Sequence, residues 1–278
     1  MIVFETKAAL AKALFPYRER NMPTGFVPTM GALHSGHVSL VEQCRKENCV
    51  TVVSIFVNPT QFNDRNDFAG YPRTLEEDTE KLNNTGCDFL FVPSADEMYP
   101  EKDTRLFDFG ALDKVMEGVF RPGHFQGVAQ IVSRLLDVVQ PQNAYFGEKD
   151  FQQLAIVRHL VRELHYPVTI VGCPIVREPD GLAMSSRNVR LTPAQRKSAP
   201  EIARTLFESK KKITGTPVDE LKKWVIDRIN SRSELKTEYF EIVDRNTLQP
   251  AGEYRENALQ GCIAVHAGAV RLIDNIAY

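Results

Sequence analysis

No run of about 20 apolar residues occurs anywhere in the chain, so a membrane-spanning helix is not expected. The five cysteines (Cys44, Cys49, Cys87, Cys173 and Cys262) are odd in number and include no C-x-x-C pair. That argues against a disulfide framework or a structural zinc site, and for small apolar side chains in a reducing compartment. Neither sign of charge dominates: 34 Lys and Arg face 36 Asp and Glu, for a formal net charge of -2. A nucleic-acid partner held by a broad basic face is therefore not expected, though a local basic site is compatible with this balance. The G-x-x-x-x-G-K-[ST] and G-x-G-x-x-G patterns are both missing, which removes the P-loop and the nicotinamide-dinucleotide fingerprint. No internal repeat or low-complexity tract is visible. Met1 to Leu10 holds Glu5 and Lys7 and does not read as a signal peptide, so a cytoplasmic protein is expected.

What remains is an ordinary globular composition, 43% hydrophobic and 25% charged over 278 residues. The first half alternates strand-like and helix-like stretches. Cys49 to Val57 (CVTVVSIFV) is nearly continuous, apolar and β-branched, as expected for a strand buried on both faces of a parallel sheet. Gly25–Val27, Asp88–Val92, Asn143–Phe146 and Val168–Pro174 read as further strands. Glu5–Arg20, His37–Lys46, Leu75–Asn83, Gly127–Val139 and Phe151–Leu164 read as helices. This pattern predicts a Rossmann-like, doubly wound parallel α/β sheet over residues 1–175. A second, smaller α/β C-terminal domain is expected over residues 176–278, where the composition turns polar and Lys-rich. There Pro193–Ile213 and Pro217–Asn230 read as helical, and Thr237–Val243 and Cys262–Val265 as strands. Loops after Val27, Val57, Phe146 and Cys173 then converge on one sheet edge, where such folds bind ligands.

Four loops carry candidate chemistry. In Pro28 to His37 (PTMGALHSGH) a strand ends, a small-residue turn follows, and a helix is expected to start at His37. Gly31 and Gly36 permit close backbone approach, and the helix start suits an anion, with His34 and His37 as donors. Two surface histidines in a turn would read the same way. Asn58 and Gln61 offer neutral amides for hydroxyls or carboxylates, or form a polar turn. Lys149, in Gly147-Glu148-Lys149-Asp150, can neutralise phosphate or pair with its acidic neighbours, and Gln153 lies one helical turn on. Ser185, Ser186 and Arg187 suit a triphosphate, or a solvated loop. Together they suggest nucleotide chemistry without a P-loop.

The strings PTMGALHSGH, SIFVNPTQF, YPRTLEED, RPGHFQGVAQIV, YFGEKDFQQL, VREPDGLAMSSRN and RLIDN resemble those of the pantothenate synthetase family. The histidine turn also resembles the H-x-G-H signature of the wider nucleotidyl-transferase superfamily, shared with class I aminoacyl-tRNA synthetases. The resemblance implies an ATP-dependent ligase that joins pantoate to β-alanine through a pantoyl-adenylate, releasing AMP and pyrophosphate. It implies that Met30, Gly31, Ala32, Leu33, His34, Ser35, Gly36 and His37 cradle ATP, with His37 as proton donor and His34 beside it on the phosphates. Gly147, Glu148, Lys149 and Asp150 would line the ATP site, with Lys149 on the phosphates. Val176 would meet adenine through its backbone, and Met184, Ser185, Ser186 and Arg187 would close over the triphosphate as part of a C-terminal lid. Gln61 would touch both pantoate and β-alanine, Gln153 would hold pantoate, Asn58 belongs to the same substrate loop, and Asp78 is a candidate for an outer contact. Magnesium would ride on the phosphates rather than in a protein cage. A homodimer formed through the larger domain is implied, with neither nucleic acid nor membrane as partner. Thr60 stands where the family often has methionine, so packing of that loop is expected to differ. A related adenylyltransferase acting on a phosphorylated alcohol, or a nucleotide sensor without turnover, are the rival readings; Gln61 and Gln153 favour a small hydroxy acid.

Overall fold

The computed structural model describes residues 1–63 and 65–278. In chain order its elements are β1 (Ile2–Phe4), α1 (Lys7–Glu19), β2 (Thr24–Thr29), α2 (Ser35–Glu47), β3 (Val50–Ile55), α3 (Arg65–Ala69), α4 (Leu75–Asn83), β4 (Phe89–Phe91), α5 (Ala95–Met98), α6 (Glu117–Phe120), α7 (His124–Val139), β5 (Asn143–Gly147), α8 (Phe151–Glu163) and β6 (Thr169–Cys173). Then follow α9 (Pro193–Ser198), α10 (Glu201–Lys212), α11 (Val218–Asn230), β7 (Leu235–Asp244), β8 (Leu259–Ala267) and β9 (Val270–Ala277). The chain forms two compact units. One comprises Met1–Phe109, Arg121–Glu148 and Gln153–Pro174; the other comprises Gly110–Phe120, Lys149–Gln152 and Ile175–Tyr278.

The first unit is built on a six-stranded parallel sheet in the order β1-β4-β3-β2-β5-β6. Every residue of β3 is buried, as its unbroken apolar run requires of a strand covered on both faces. Val27, Val53, Leu90 and Tyr145 form one core layer with Val41 and Cys44 of α2. Strand alternation sends Phe89 to the opposite face, where Tyr17 of α1 meets its ring edge-on at 5.8 Å. The strand order reverses between β2 and β5, and there the ladder parts early. β2 pairs with β3 as far as Thr29↔Ile55, but with β5 only at Gly25↔Asn143 and Phe26↔Ala144. Pro28 has no N–H to carry that ladder further, so a crevice opens at the topological switch point.

The second unit packs α10 and α11 against the antiparallel sheet β7-β8-β9. Its core includes Leu206, Leu221, Val225, Phe240 and Ile263. Segment Gly110–Phe120 joins this unit through a partly buried ion-pair network. Arg271 Nη1 and Nη2 donate to the two oxygens of Glu117 at 2.8 and 2.7 Å, and Tyr239 Oη donates to Glu117 at 2.7 Å. Glu238 shares the Arg271 guanidinium at 2.6 Å. Burial works against the Arg271 charge, and the two carboxylates more than restore it.

The parallel sheet and the small C-terminal domain expected from the sequence are present, with several boundaries moved. Helix α2 starts at Ser35 rather than His37, because His34 serves as its N-cap. Helix α7 starts at His124 rather than Gly127, after Gly123 in the left-handed region at φ 82. The Lys-rich stretch is two helices separated at Ala199–Pro200. Strands β1 and β9 were not expected. β1 is too short for a pattern, and the Arg and Asp of β9 interrupt its apolar alternation.

Glu117→Ala leaves the half-buried Arg271 with Glu238 as its remaining carboxylate partner, and losing a charge-assisted hydrogen-bonded partner costs about 1.5–3 kcal/mol. Trp224, the single tryptophan, lies against the C-terminal core and reports that unit by fluorescence. In denaturant unfolding followed at Trp224, the midpoint should fall and the unfolding free energy should drop by that amount in Glu117→Ala, and both by less in Glu117→Gln. An unmoved midpoint in both would show that the network contributes nothing.

Candidate active site

The backbone leaving β2 turns sharply over the sheet edge. Gly31 and Ala32 both take left-handed conformations, at φ 79 and 49, the second unusual for a residue with a side chain. A fully buried carboxylate, Asp78 on α4, holds them there. Its Oδ2 accepts from Ala32 N–H at 2.8 Å and its Oδ1 from Leu33 N–H at 2.7 Å. Lys81 Nζ, one turn along α4, donates to Leu33 O at 2.9 Å. A Cβ on residue 31 would sit 3.1 Å from that carboxylate and 3.0 Å from Ile55, so glycine suits both the conformation and the space.

This turn delivers His34 as the N-cap of α2. Gly36 N–H donates to His34 Nδ1 at 3.1 Å, and His34 N–H donates to His37 Nδ1 at 3.3 Å, a capping box made of two imidazoles. An accepting Nδ1 bears no hydrogen, so both neutral rings carry theirs on Nε2. The rings lie 4.1 Å apart, centroid to centroid. The helix start therefore presents two imidazole N–H donors, while the Gly36, His37 and Val38 N–H groups are taken up by His34; the imidazole pair is the part suited to a phosphate.

The loop after β3 supplies the amides. Asn58 is buried, and its Nδ2 donates to Gln61 Oε1 at 3.1 Å and to Gly127 O at 3.0 Å. Its Oδ1 accepts from Tyr99 Oη at 2.8 Å and from Thr60 Oγ1 at 3.2 Å. The Thr60 hydroxyl thus joins a network that a methionine side chain could not extend. Gln61 Nε2 donates to the Met30 thioether at 3.0 Å, a weak acceptor that a substrate oxygen can replace. Gly127 lets α7 press on this loop: a Cβ there would stand 2.3 Å from Thr60 O. His124 Nδ1 donates to Gln61 O at 2.8 Å, which leaves Nε2 as the acceptor for Arg121 Nη1 at 3.1 Å. A neutral, buried histidine and a guanidinium accordingly stand beside Gln61.

Of the residues expected from the sequence, Met30, Asn58 and Gln61 are joined by hydrogen bonds and His34 and His37 by their capping box, all within the first unit. Gln153 lies half-buried on α8 in that unit. Lys149, Asp150, Val176 and Met184–Arg187 belong to the second. There Met184 N–H donates to Val176 O at 3.0 Å, closing a hairpin, and Ser185 caps the turn Ser186–Arg190 by accepting from Arg187 N–H at 3.3 Å. Sequence reasoning left Tyr99, Arg121 and His124 without roles and gave Asp78 at most an outer contact. Only the string RPGHFQGV, with a cation and a histidine just before an amphipathic helix, carried a signal. Burial pushes the Cys44 thiol up to about 12 and that of Cys173 to about 11, so neither is a nucleophile near neutral pH. Among the described residues no cluster of three or more His, Cys, Asp or Glu could hold a metal ion, and no helix is long and apolar enough to cross a membrane.

A family model described as pantoate-beta-alanine ligase matches residues 2–277 of the chain. The pantothenate synthetase of Bacteroides thetaiotaomicron is 56% identical over 279 residues, spanning 100% of this chain and 99% of that one. The crystal structure of the pantothenate synthetase of Thermus thermophilus superposes with a TM-score of 0.93 at 46% identity, over 99% of both chains. That of the pantoate-beta-alanine ligase of Francisella tularensis, complexed with beta-gamma ATP and beta-alanine, gives 0.85 at 35% identity, over 100% of this chain and 97% of that one.

Hydrogen bonds to a charged group contribute about 1.5–3 kcal/mol each, so Asp78→Ala should release the turn selectively. Hydrogen exchange at the Ala32 and Leu33 amides should accelerate at least tenfold, with exchange in β7–β9 unchanged. Equal protection in variant and parent would show that the carboxylate does not anchor the turn.

Proposed function

Since the chain belongs to the pantoate–β-alanine ligase family, we propose that the histidine turn and the Gln61 loop form the site at which it joins these substrates. The protein is an ATP-dependent ligase that condenses pantoate with β-alanine. On our reading the pantoate carboxylate attacks the α-phosphorus of ATP and expels pyrophosphate. The β-alanine amine then attacks the acyl carbon of the pantoyl-adenylate and expels AMP. The observation that carries this reading is the imidazole capping box at the start of α2. Two Nε2–H donors, fixed by the backbone, can follow charge as it shifts onto phosphate oxygens without themselves reorganising. In this geometry His37 acts as a neutral donor. His34 steadies the same phosphate.

Gln61 is proposed to bind pantoate and to face the incoming amine, with Gln153 as a second pantoate ligand. Asn58, whose amide hydrogens both go to protein acceptors, acts by orienting Gln61. Arg121, steered by His124, supplies the cation for the β-alanine carboxylate. Lys149, Ser185, Ser186 and Arg187 are proposed as triphosphate ligands, and Val176 as the adenine contact. Magnesium would be carried by the nucleotide phosphates rather than by a protein cage, and would supply charge neutralisation there. A cytoplasmic homodimer is part of the same proposal.

Purified protein given ATP, magnesium and pantoate should release AMP continuously only when β-alanine is added, with pantothenate in equal amount. Release that ignores pantoate would end the reading. His37→Ala should slow pantoate-dependent pyrophosphate release by about 100-fold, the order seen when an oxyanion donor is removed. Gln61→Ala should raise KM for pantoate more than KM for ATP. Arg121→Ala should raise KM for β-alanine at least tenfold, the scale of a lost charge-assisted hydrogen bond.

A further inference from the structure

The tail motif Arg271–Asn275 has no part in the chemistry above, yet two of its side chains reach both phosphate-binding segments of the second unit. Asp274 and Asn275 are adjacent on β9 and buried, at 4% exposure each. Asp274 takes the Arg177 guanidinium in a two-pronged pair at 2.7 and 2.9 Å. Arg177 opens the hairpin that runs into Ser185: it bridges to Ala183, and its Nη1 donates to Gly181 O at 3.1 Å. Burial pushes the Asp274 carboxyl up, and the arginine pulls against that shift. Asp274 therefore ties this hairpin to β9, beside the Asp180–Arg196 ion pair and the burial of Leu182 in the core.

The neighbouring side chain does the same for the lysine segment. Asn275 Nδ2 donates to the backbone oxygen of Lys149 at 2.9 Å. Which end of the amide faces Lys149 is itself determined, because Asn275 Oδ1 accepts from Gln260 Nε2 at 2.7 Å. Asn275 N–H closes the pair by donating to Asp274 Oδ1 at 2.8 Å. Lys149 lies in a single 3-10 turn, Glu148–Asp150, and such a turn offers few backbone bonds of its own.

We propose that Asp274 and Asn275 are positioning residues for the nucleotide: together they fix Lys149 and the Ser185–Arg187 segment in one frame, so that the triphosphate meets its donors at set distances. Even small displacements of such donors slow catalysis disproportionately. The inference rests on the assignment of Lys149 and Ser185–Arg187 to the triphosphate, and its test separates the two.

The measurement is steady-state kinetics on the full chain, with Asn275→Ala, Lys149→Ala and the double variant. Asn275→Ala should raise KM for ATP about five- to tenfold, the scale of one buried hydrogen bond. KM for pantoate should stay within about twofold, because Gln61 and Gln153 belong to the first unit. In the Lys149→Ala background the same change should add little, since its effect passes through Lys149. Gln260→Met keeps the side-chain volume and loosens only the amide's orientation. It should move KM for ATP in the same direction, less strongly, and it carries the test if Asn275→Ala fails to fold. Proportional rises in both KM values, an unmoved KM for ATP, or full additivity with Lys149→Ala would overturn the inference. A wild-type KM for ATP in Lys149→Ala would instead overturn the assignment on which it rests.

Discussion

The histidine turn at the edge of the parallel sheet depends on the Asp78 carboxylate accepting two backbone N–H bonds. A chain leaving a buried strand must reverse within a few residues, and here it does so through two consecutive left-handed residues. The buried Leu33 N–H, left without this acceptor, would cost about 1–3 kcal/mol. Asp78, 46 residues away in sequence from Ala32, supplies both acceptors from α4. Only then does His34 arrive as an N-cap, and only that geometry places both imidazole hydrogens on Nε2. Tautomer, orientation and helix start are thus consequences of one carboxylate.

The substrate loop obeys a second constraint of packing. Pro28 ends the pairing of β2 with β5, and Gly127 allows α7 to close on the turn at Thr60 and Gln61. Within that contact Asn58 uses its whole amide on neighbours, so Gln61 is held by its side chain, its backbone oxygen and its flanking residues at once. A glutamine restrained in this way can discriminate hydroxyl-bearing acids, since an analogue lacking the hydroxyl leaves a buried amide unpaired. The Thr60 hydroxyl adds to this network through Asn58 Oδ1 and Tyr99 Oη.

Much of this was legible in the residues. The β-branched run of β3 announced a strand buried on both faces, and the alternation of apolar strands with helices announced the parallel sheet. His34, His37 and Gln61 stood out because their neighbours formed dense, recognisable strings. The remainder depended on contacts far apart in sequence. Asp78 looked like one more acidic residue in a helical first turn. Arg121 and His124 preceded an amphipathic helix whose apolar face dominated the reading. Strand β9 was hidden because its buried Asp274 breaks the apolar alternation, and burial of a carboxylate follows from an arginine elsewhere, not from local pattern. The start of α2 was misplaced for a related reason: a histidine is an uncommon N-cap, and its capping role appears only in the geometry.

The central claim is that the pantoate carboxylate attacks the α-phosphorus at the histidine turn. Pantoate labelled with oxygen-18 in its carboxylate tests it directly, with products analysed by mass spectrometry after turnover with ATP and β-alanine. The account predicts one labelled oxygen in AMP, one in pantothenate and none in pyrophosphate. Label in inorganic phosphate or pyrophosphate, or AMP without label, would place the attack elsewhere and contradict it.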